Sequence, residues 1–265
     1  MKKIKIQTVD AFTSEPFSGN PAAVCLLEQF LPAETMQNIA TEMNLSETAF
    51  LMPKDAGFNL RWFTPAVEVD LCGHATLASA HFLWENNVVP GEKTIVFDTL
   101  SGELKAAKND GWITLDFPSE PPKLKPAPEE LLRAMNLEEV RSFGENRFDA
   151  IIEVASESMV RATTPNMSLL ENLPYRGVIL TAQADSSEFD FISRFFAPAA
   201  GVPEDPVTGS AHCCLAPFWG EKLGKTKMTG FQASRRGGVV RVENHKARTL
   251  LRGQAVTVTR VEMKF

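Results

Sequence analysis

Arg61-Trp62-Phe63-Thr64-Pro65-Ala66, running on to Gly73-His74-Ala75, is answered by Arg194-Phe195-Phe196-Ala197-Pro198-Ala199, running on to Gly209-Ser210-Ala211. Each copy then enters an apolar stretch that ends near a tryptophan, Trp84 in the first and Trp219 in the second. Two copies at so long a spacing do not make a solenoid, which stacks many short units. They describe two similar half-molecules, each presenting a glycine-led helix start. The expected site lies where those starts face each other.

Working outward, Ala75, Leu77, Ala78, Ala80, Phe82, Leu83 and Trp84 spread apolar surface over every face of a helix from Gly73 to Trp84. A helix apolar all round has to be wrapped on all sides, so strands are expected to curl around it as a barrel. The wall is predicted at Ile4–Val9, Thr48–Met52, Leu60–Phe63, Thr94–Asp98, Glu103–Ala106 and Trp112–Phe117. Ser18-Gly19-Asn20-Pro21 reads as a turn. Pro32 opens a helix whose Met36, Ile39, Ala40 and Met43 make one buried stripe.

Pro118, Pro121, Pro122, Pro126 and Pro128 then exclude a helix interior or central strand and mark a linker. Beyond it come a helix at Glu129–Met135, strands at Ala150–Ala155 and Gly177–Gln183, and the second phrase. Pro217 should kink the second glycine-led helix or end it early. Arg236-Gly237-Gly238 and Arg252-Gly253-Gln254 read as hairpin turns. The expectation is an α+β protein with lobes at 1–117 and 118–265, the last strand (255–265) being free to cross back.

Bulk properties fit a soluble globular protein. With 265 residues, 44% hydrophobic and 23% charged, the chain can bury a sizeable core. A net charge of −6 gives no basic footprint for nucleic acid. The excess of Lys and Arg after residue 225 is spread along apparent strands, as on a solvated sheet face. Met1-Lys2-Lys3-Ile4-Lys5-Ile6 lacks the apolar core of a signal peptide, and no apolar run reaches membrane-spanning length. Cys25, Cys72, Cys213 and Cys214 form no CxxC spacing and suit reduced thiols. A cytoplasmic protein without membrane or nucleic-acid partners is expected.

The chemistry concentrates at the helix starts. First-turn amides lack intrahelical partners and sit at the positive end of the helix dipole, so Gly73 and Gly209 are candidates to hold a carboxylate or developing oxyanion. Each glycine alone also reads as a packing residue. His74 reads equally as a hydrogen-bonded structural histidine, and Asp205 and Ser210 as helix-start residues; the duplication is what groups them. Glu47 stands in Leu45-Ser46-Glu47-Thr48-Ala49-Phe50-Leu51, where losing water would suit a carboxylate to general acid/base work. On spacing alone an exposed turn glutamate remains the competing reading. No dinucleotide, P-loop, zincin or nucleophile-elbow motif is present. His212, Cys213 and Cys214 are consecutive and point apart. Neither a metal nor a cofactor is expected.

Five segments carry a family resemblance: Asp10-Ala11-Phe12-Thr13, Phe17-Ser18-Gly19-Asn20-Pro21-Ala22-Ala23-Val24, Asn44-Leu45-Ser46-Glu47-Thr48-Ala49-Phe50, Leu71-Cys72-Gly73-His74-Ala75-Thr76, and Glu204-Asp205-Pro206-Val207-Thr208-Gly209-Ser210-Ala211-His212. In them the chain resembles the PhzF-like isomerases, the phenazine biosynthesis-like family. The resemblance implies two lobes of diaminopimelate-epimerase type, each a β-barrel-like sheet wrapped around a central buried helix. It also implies a homodimer and cofactor-free acid/base chemistry. The family's acid/base glutamate falls on Glu47, and its site-lining histidine, aspartate and serine fall on His74, Asp205 and Ser210. Gly73, Gly209, Asn20, Cys72 and Thr208, within the same motifs, are the substrate-binding candidates.

One departure narrows the chemistry. Diaminopimelate epimerases and proline racemases place a cysteine before the glycine of each half. This chain keeps Cys72 but has Thr208 in the second place, and a threonine is no base near neutral pH. The reading is therefore a single-carboxylate isomerase moving a proton and double bond on a small anionic metabolite. A non-catalytic ligand-binding or protein-interaction module, and a one-thiol racemase or epimerase using Cys72, stay open as alternatives.

Overall fold

In the computed structural model, which describes residues 2–91 and 93–265, the chain forms two units. One comprises Met1–Phe117 with Arg252–Phe265, the other Pro118–Leu251. The first contains β1 (Lys3–Ala11), β2 (Asn20–Leu26), α1 (Ala33–Met43), β3 (Glu47–Lys54), β4 (Gly57–Phe63), β5 (Glu68–Val69), α2 (Gly73–Glu85), β6 (Ile95–Thr99), β7 (Gly102–Asn109) and β8 (Trp112–Pro118). The second contains β9 (Lys123–Leu124), α3 (Glu129–Met135), β10 (Ser142–Glu145), β11 (Asp149–Glu153), α4 (Glu157–Ala162), α5 (Met167–Leu170), β12 (Gly177–Gln183), β13 (Phe191–Ala197), β14 (Val202–Asp205), α6 (Gly209–Leu223), β15 (Lys227–Gln232), β16 (Gly238–His245) and β17 (Arg248–Gly253). The chain then returns to the first unit as β18 (Ala255–Lys264), antiparallel to β1 from Lys3↔Lys264 to Ala11↔Ala255.

The duplication extends to topology. In the first unit β2 and β3 are parallel, β3 and β4 antiparallel, and β4 and β6 parallel. In the second, β11 and β12 are parallel, β12 and β13 antiparallel, and β13 and β15 parallel. Parallel neighbours require a crossover. The first unit uses α1 and then α2; the second uses α4 with α5, and then α6. The repeated arginine has a structural task in both units. Arg61 grips Glu68 with Nε and Nη2 at 2.6 and 2.7 Å, and Arg194 grips Glu204 at 2.7 and 2.9 Å. Each two-pronged pair ties the repeated strand, β4 or β13, to the short strand that follows. Planar guanidinium suits this geometry, and lysine would not reproduce it.

The helix starting at Gly73 is buried on every face, from His74 to Trp84 save His81, and packs on β1, β2, β3 and β18. On α1, Met36, Ile39 and Ala40 join Ile6, Ala23, Cys25, Phe50 and Phe63 in one core, and Asn44 ends the helix in the left-handed conformation. In the second unit Leu131, Met135, Phe143, Ile152, Leu180 and Phe196 form another. Among the described residues no helix is long and apolar enough to cross a membrane.

Two local expectations fail for identifiable reasons. Pro217 does not end α6 early, since the helix runs to Leu223. A proline deprives the carbonyl four residues back of its donor, here Cys213, and the amide of Glu120 supplies the replacement at 3.0 Å. Gly253 is not a hairpin turn but the end of β17. A side chain there would strike the Phe12 ring and come within 2.8 Å of Leu77, so the glycine answers a packing demand, not a turn.

Candidate active site

In the first unit, three elements deliver polar side chains to the start of α2. Strand β2 begins with Asn20, which is fully buried. Its parallel neighbour β3 begins with Glu47, in register with Ala22. The chain enters α2 through Cys72, extended at φ −145° and ψ 112°, so that Gly73 and His74 open the helix. His74 is the hub. Its Nε2 lies 3.0 Å from Glu47 Oε2, and its Nδ1 lies 3.5 Å from Cys72 Sγ and 3.2 Å from the Asn20 amide. Which end of that amide faces the ring follows the ring's protonation.

The contact between Glu47 and His74 is a close ion pair rather than an aligned hydrogen bond: neither Oε2 nor Nε2 has a partner in hydrogen-bonding line, and both atoms are closed off from water. The Glu47 side chain as a whole is only 17% exposed, which rejects the exposed-turn reading. Burial alone pushes the His74 imidazolium down. The Cys72 sulfur and Glu47 carboxylate outweigh it, and the His74 pKa stands well above the usual 6.5. Burial, reinforced by Glu47, pushes the Cys72 thiol up to about 11. At neutral pH the thiol is therefore intact, and the Glu47 carboxylate is the charge left to favour a protonated His74.

The second unit builds its helix start differently. Thr208 precedes Gly209 but does not cap the helix. Its hydroxyl donates to Asp205 instead, while its amide donates to Gln232 Oε1 at 2.9 Å. Gln232, fully buried on β15, also donates to the Asp205 carbonyl at 2.8 Å and the Thr208 hydroxyl at 3.2 Å. Ser210 accepts a 3.0 Å hydrogen bond from Arg176, whose guanidinium also grips buried Asp149. His212 ties Nδ1 to the Thr208 carbonyl at 2.8 Å, as Thr76 ties its hydroxyl to the Cys72 carbonyl at 2.6 Å. Burial pushes His212 down to about 4, so it is neutral and structural.

Of the sequence candidates, Asn20, Glu47, Cys72, Gly73 and His74 therefore meet within the first unit, and Asp205, Thr208, Gly209 and Ser210 within the second. Gln232, Arg176 and Asp149 escaped the sequence reading, because their partners lie 24 or more residues away.

Glu47, Cys72 and His74 also offer one carboxylate oxygen, one sulfur and one ring nitrogen within 4.8 Å of one another, a donor set that a thiophilic cation accepts. Binding would have to strip protons from a thiol titrating near 11 and from a raised imidazolium, so protons compete strongly for the same atoms.

Buried acid/base groups on a duplicated α+β scaffold are the makings of an isomerase, and the comparisons with known proteins bear out that class. The chain belongs to the phenazine biosynthesis-like family, whose profile, "Phenazine biosynthesis-like protein", matches residues 9–261. An uncharacterized isomerase of Halalkalibacterium halodurans is 53% identical over 264 residues, covering 99% of both chains. A crystal structure of a PhzF-family phenazine biosynthesis protein from Enterococcus faecalis superposes with a TM-score of 0.94 at 41% identity, covering all of both chains. A hydroxyproline epimerase of Agrobacterium vitis, at 12% identity and a TM-score of 0.62 over 98% of this chain and 92% of its own, shares the fold alone.

Proposed function

We propose that the protein is a cofactor-independent isomerase that moves a proton, and with it a double bond, on a small cyclic or unsaturated carboxylic acid. The observation that carries this reading is the water-shielded Glu47 oxygen 3.0 Å from His74, beside the opening turn of α2. Glu47 takes a proton from a carbon whose electron pair delocalises toward the substrate's acid group. The same carboxyl then returns that proton to another carbon, so no atom or electron is gained or lost. His74, as imidazolium, offsets the charge that builds up while Glu47 is neutral and the substrate is not. The Gly73 and His74 amides are donors for the substrate oxygen on which that charge collects. At the helix start of the second unit, Gly209, Ser210 and Asp205 are read as contacts for a substrate acid group.

The one-thiol alternative draws support from the contact between Cys72 and His74, but a thiol pushed up to about 11 is a poor base at neutral pH. The deciding experiment follows deuterium from solvent into a panel of cyclic and unsaturated carboxylic acids by NMR. Label entering one carbon only with wild-type protein, and not with Glu47→Gln, supports the proposal. Label entering equally with Glu47→Gln rejects it, and loss of labelling on blocking Cys72 transfers the role to the thiol.

A further inference from the structure

The internal duplication reaches the site itself. The first unit assembles Asn20 at the start of β2, Glu47 at the start of β3 and His74 as the second residue of α2. Asp149 starts β11, Arg176 immediately precedes β12, and Ser210 is the second residue of α6. These three side chains, likewise gathered at strand and helix starts, are in mutual contact. Through the repeated phrase, Thr48 pairs with Phe63 as Val178 pairs with Phe196, so Arg176 stands one residue before the counterpart of Glu47, and a guanidinium there cannot exchange a proton at any ordinary pH.

We infer that Arg176 is a positioning residue: it fills one acceptor position of Ser210 and turns the hydroxyl proton outward, so that this helix start favours a carboxylate oxygen over an amine. The inference rests on the reading of Ser210 as a substrate contact. Arg176 donates through Nε to Asp149 Oδ1 at 2.9 Å and through Nη2 to Oδ2 at 2.5 Å; the second Nη2 proton goes to Ser210 Oγ at 3.0 Å. A guanidinium has only donors, so the serine oxygen must accept. Ser210 Oγ makes no other hydrogen bond among the described residues, and its own proton points to whatever arrives. Accepting from a charged donor polarises the hydroxyl and strengthens that outgoing bond. The first-turn amides of Gly209 and Ser210 are donors too, so every group at this helix start asks for an acceptor.

The arrangement is held rigidly. The guanidinium lies 5.0 Å from the centre of the Phe148 ring and 5.9 Å from that of Phe195. The Asp149 side chain is 1% exposed. A purely structural pair joining β11 to the start of β12 would need the two bonds to Asp149 but not the third.

The test titrates benzoate, benzamide and benzylamine into the protein, reading the Gly209 and Ser210 amide signals by NMR. Benzoate should bind wild type, with benzylamine leaving those signals unmoved. Ser210→Ala and Arg176→Lys should each weaken benzoate by about tenfold, the scale of one charge-assisted hydrogen bond. The double variant should be no weaker than Ser210→Ala alone, because one interaction is removed twice. A double variant whose loss multiplies the two single losses overturns the inference, as does an Arg176→Lys variant that binds like wild type or a benzylamine response matching that of benzoate. A silent Ser210→Ala, or no benzoate response at all, sinks instead the reading of Ser210 on which the inference stands. Should Arg176→Lys fail to fold, Asp149→Asn with Arg176→Gln removes both charges together and runs the same cycle.

Discussion

The two helix starts share a backbone plan and differ in whether they can hold a proton. At α2 the residues before and after the glycine are Cys72 and His74, with Glu47 3.0 Å from the imidazole. At α6 they are Thr208 and Ser210, tied to Gln232, Asp205 and Arg176. The first set titrates and leaves its key oxygen without a hydrogen bond in line. The second set spends its hydrogen bonds on fixing geometry. The two units thus repeat one backbone plan, and in the proposed reading their side chains divide proton transfer from holding.

The sharpest way to break this contrast is Glu47→Gln, which removes the only carboxylate we assign to proton transfer. Turnover should fall by at least about 10²–10⁴-fold, the usual worth of general acid/base help. The thermal midpoint should stay near that of wild type, and a drop in turnover accompanied by unfolding would not count in favour.

Next in size is a pair of opposite pH effects on stability. His74 has a raised folded pKa, so its contribution is complete below about 6.5 and disappears as pH climbs through the folded value. His212 is pushed down to about 4. The unfolded chain takes up a proton there that the folded one refuses, so stability is present above about 6.5 and lost as pH falls toward 4. The loss is roughly 3 kcal/mol. Urea unfolding between pH 4 and 7 should show it in wild type but not in His212→Thr, which copies Thr76 of the first unit. An equal loss in that variant would contradict the assignment.

Exchanging the residues before the glycines gives smaller effects. Thr208→Cys gives up the hydroxyl's bonds to Asp205 and Gln232 and should cost about 1–2 kcal/mol by chemical denaturation. Cys72→Thr should leave turnover within about fivefold, since only a weak thiol contact to the imidazole is lost. A collapse in Cys72→Thr, together with rapid iodoacetamide inactivation at pH 7, would instead make the thiol the base. Slow alkylation is the expected behaviour of a thiol titrating near 11.

Much of this was legible before any coordinates. Hydrophobic spacing located α1, because local periodicity is decided by neighbours three and four residues away, and all-round apolarity after the repeated phrase located α2. The family motifs marked Glu47 and His74. Pro217 misled because its local rule is sound but its remedy, the amide of Glu120, lies almost a hundred residues upstream. Gly253 misled because a glycine that admits Phe12 and Leu77 looks, in sequence, like one that allows a turn. Arg176 was invisible for the same reason: nothing beside it in the chain announces Asp149 or Ser210.

The pairing of β1 with β18 has a consequence for how the molecule is made. A ribosome delivers β1 among the first segments and β18 only after the whole intervening 118–251 stretch has emerged. Until then the backbone groups of β1 that await β18 are satisfied by solvent or by a chaperone, while the later unit can already assemble. The unit that holds Glu47 and His74 is thus completed after the other, and a nascent chain stalled before residue 255 would carry β1 without its β18 partner.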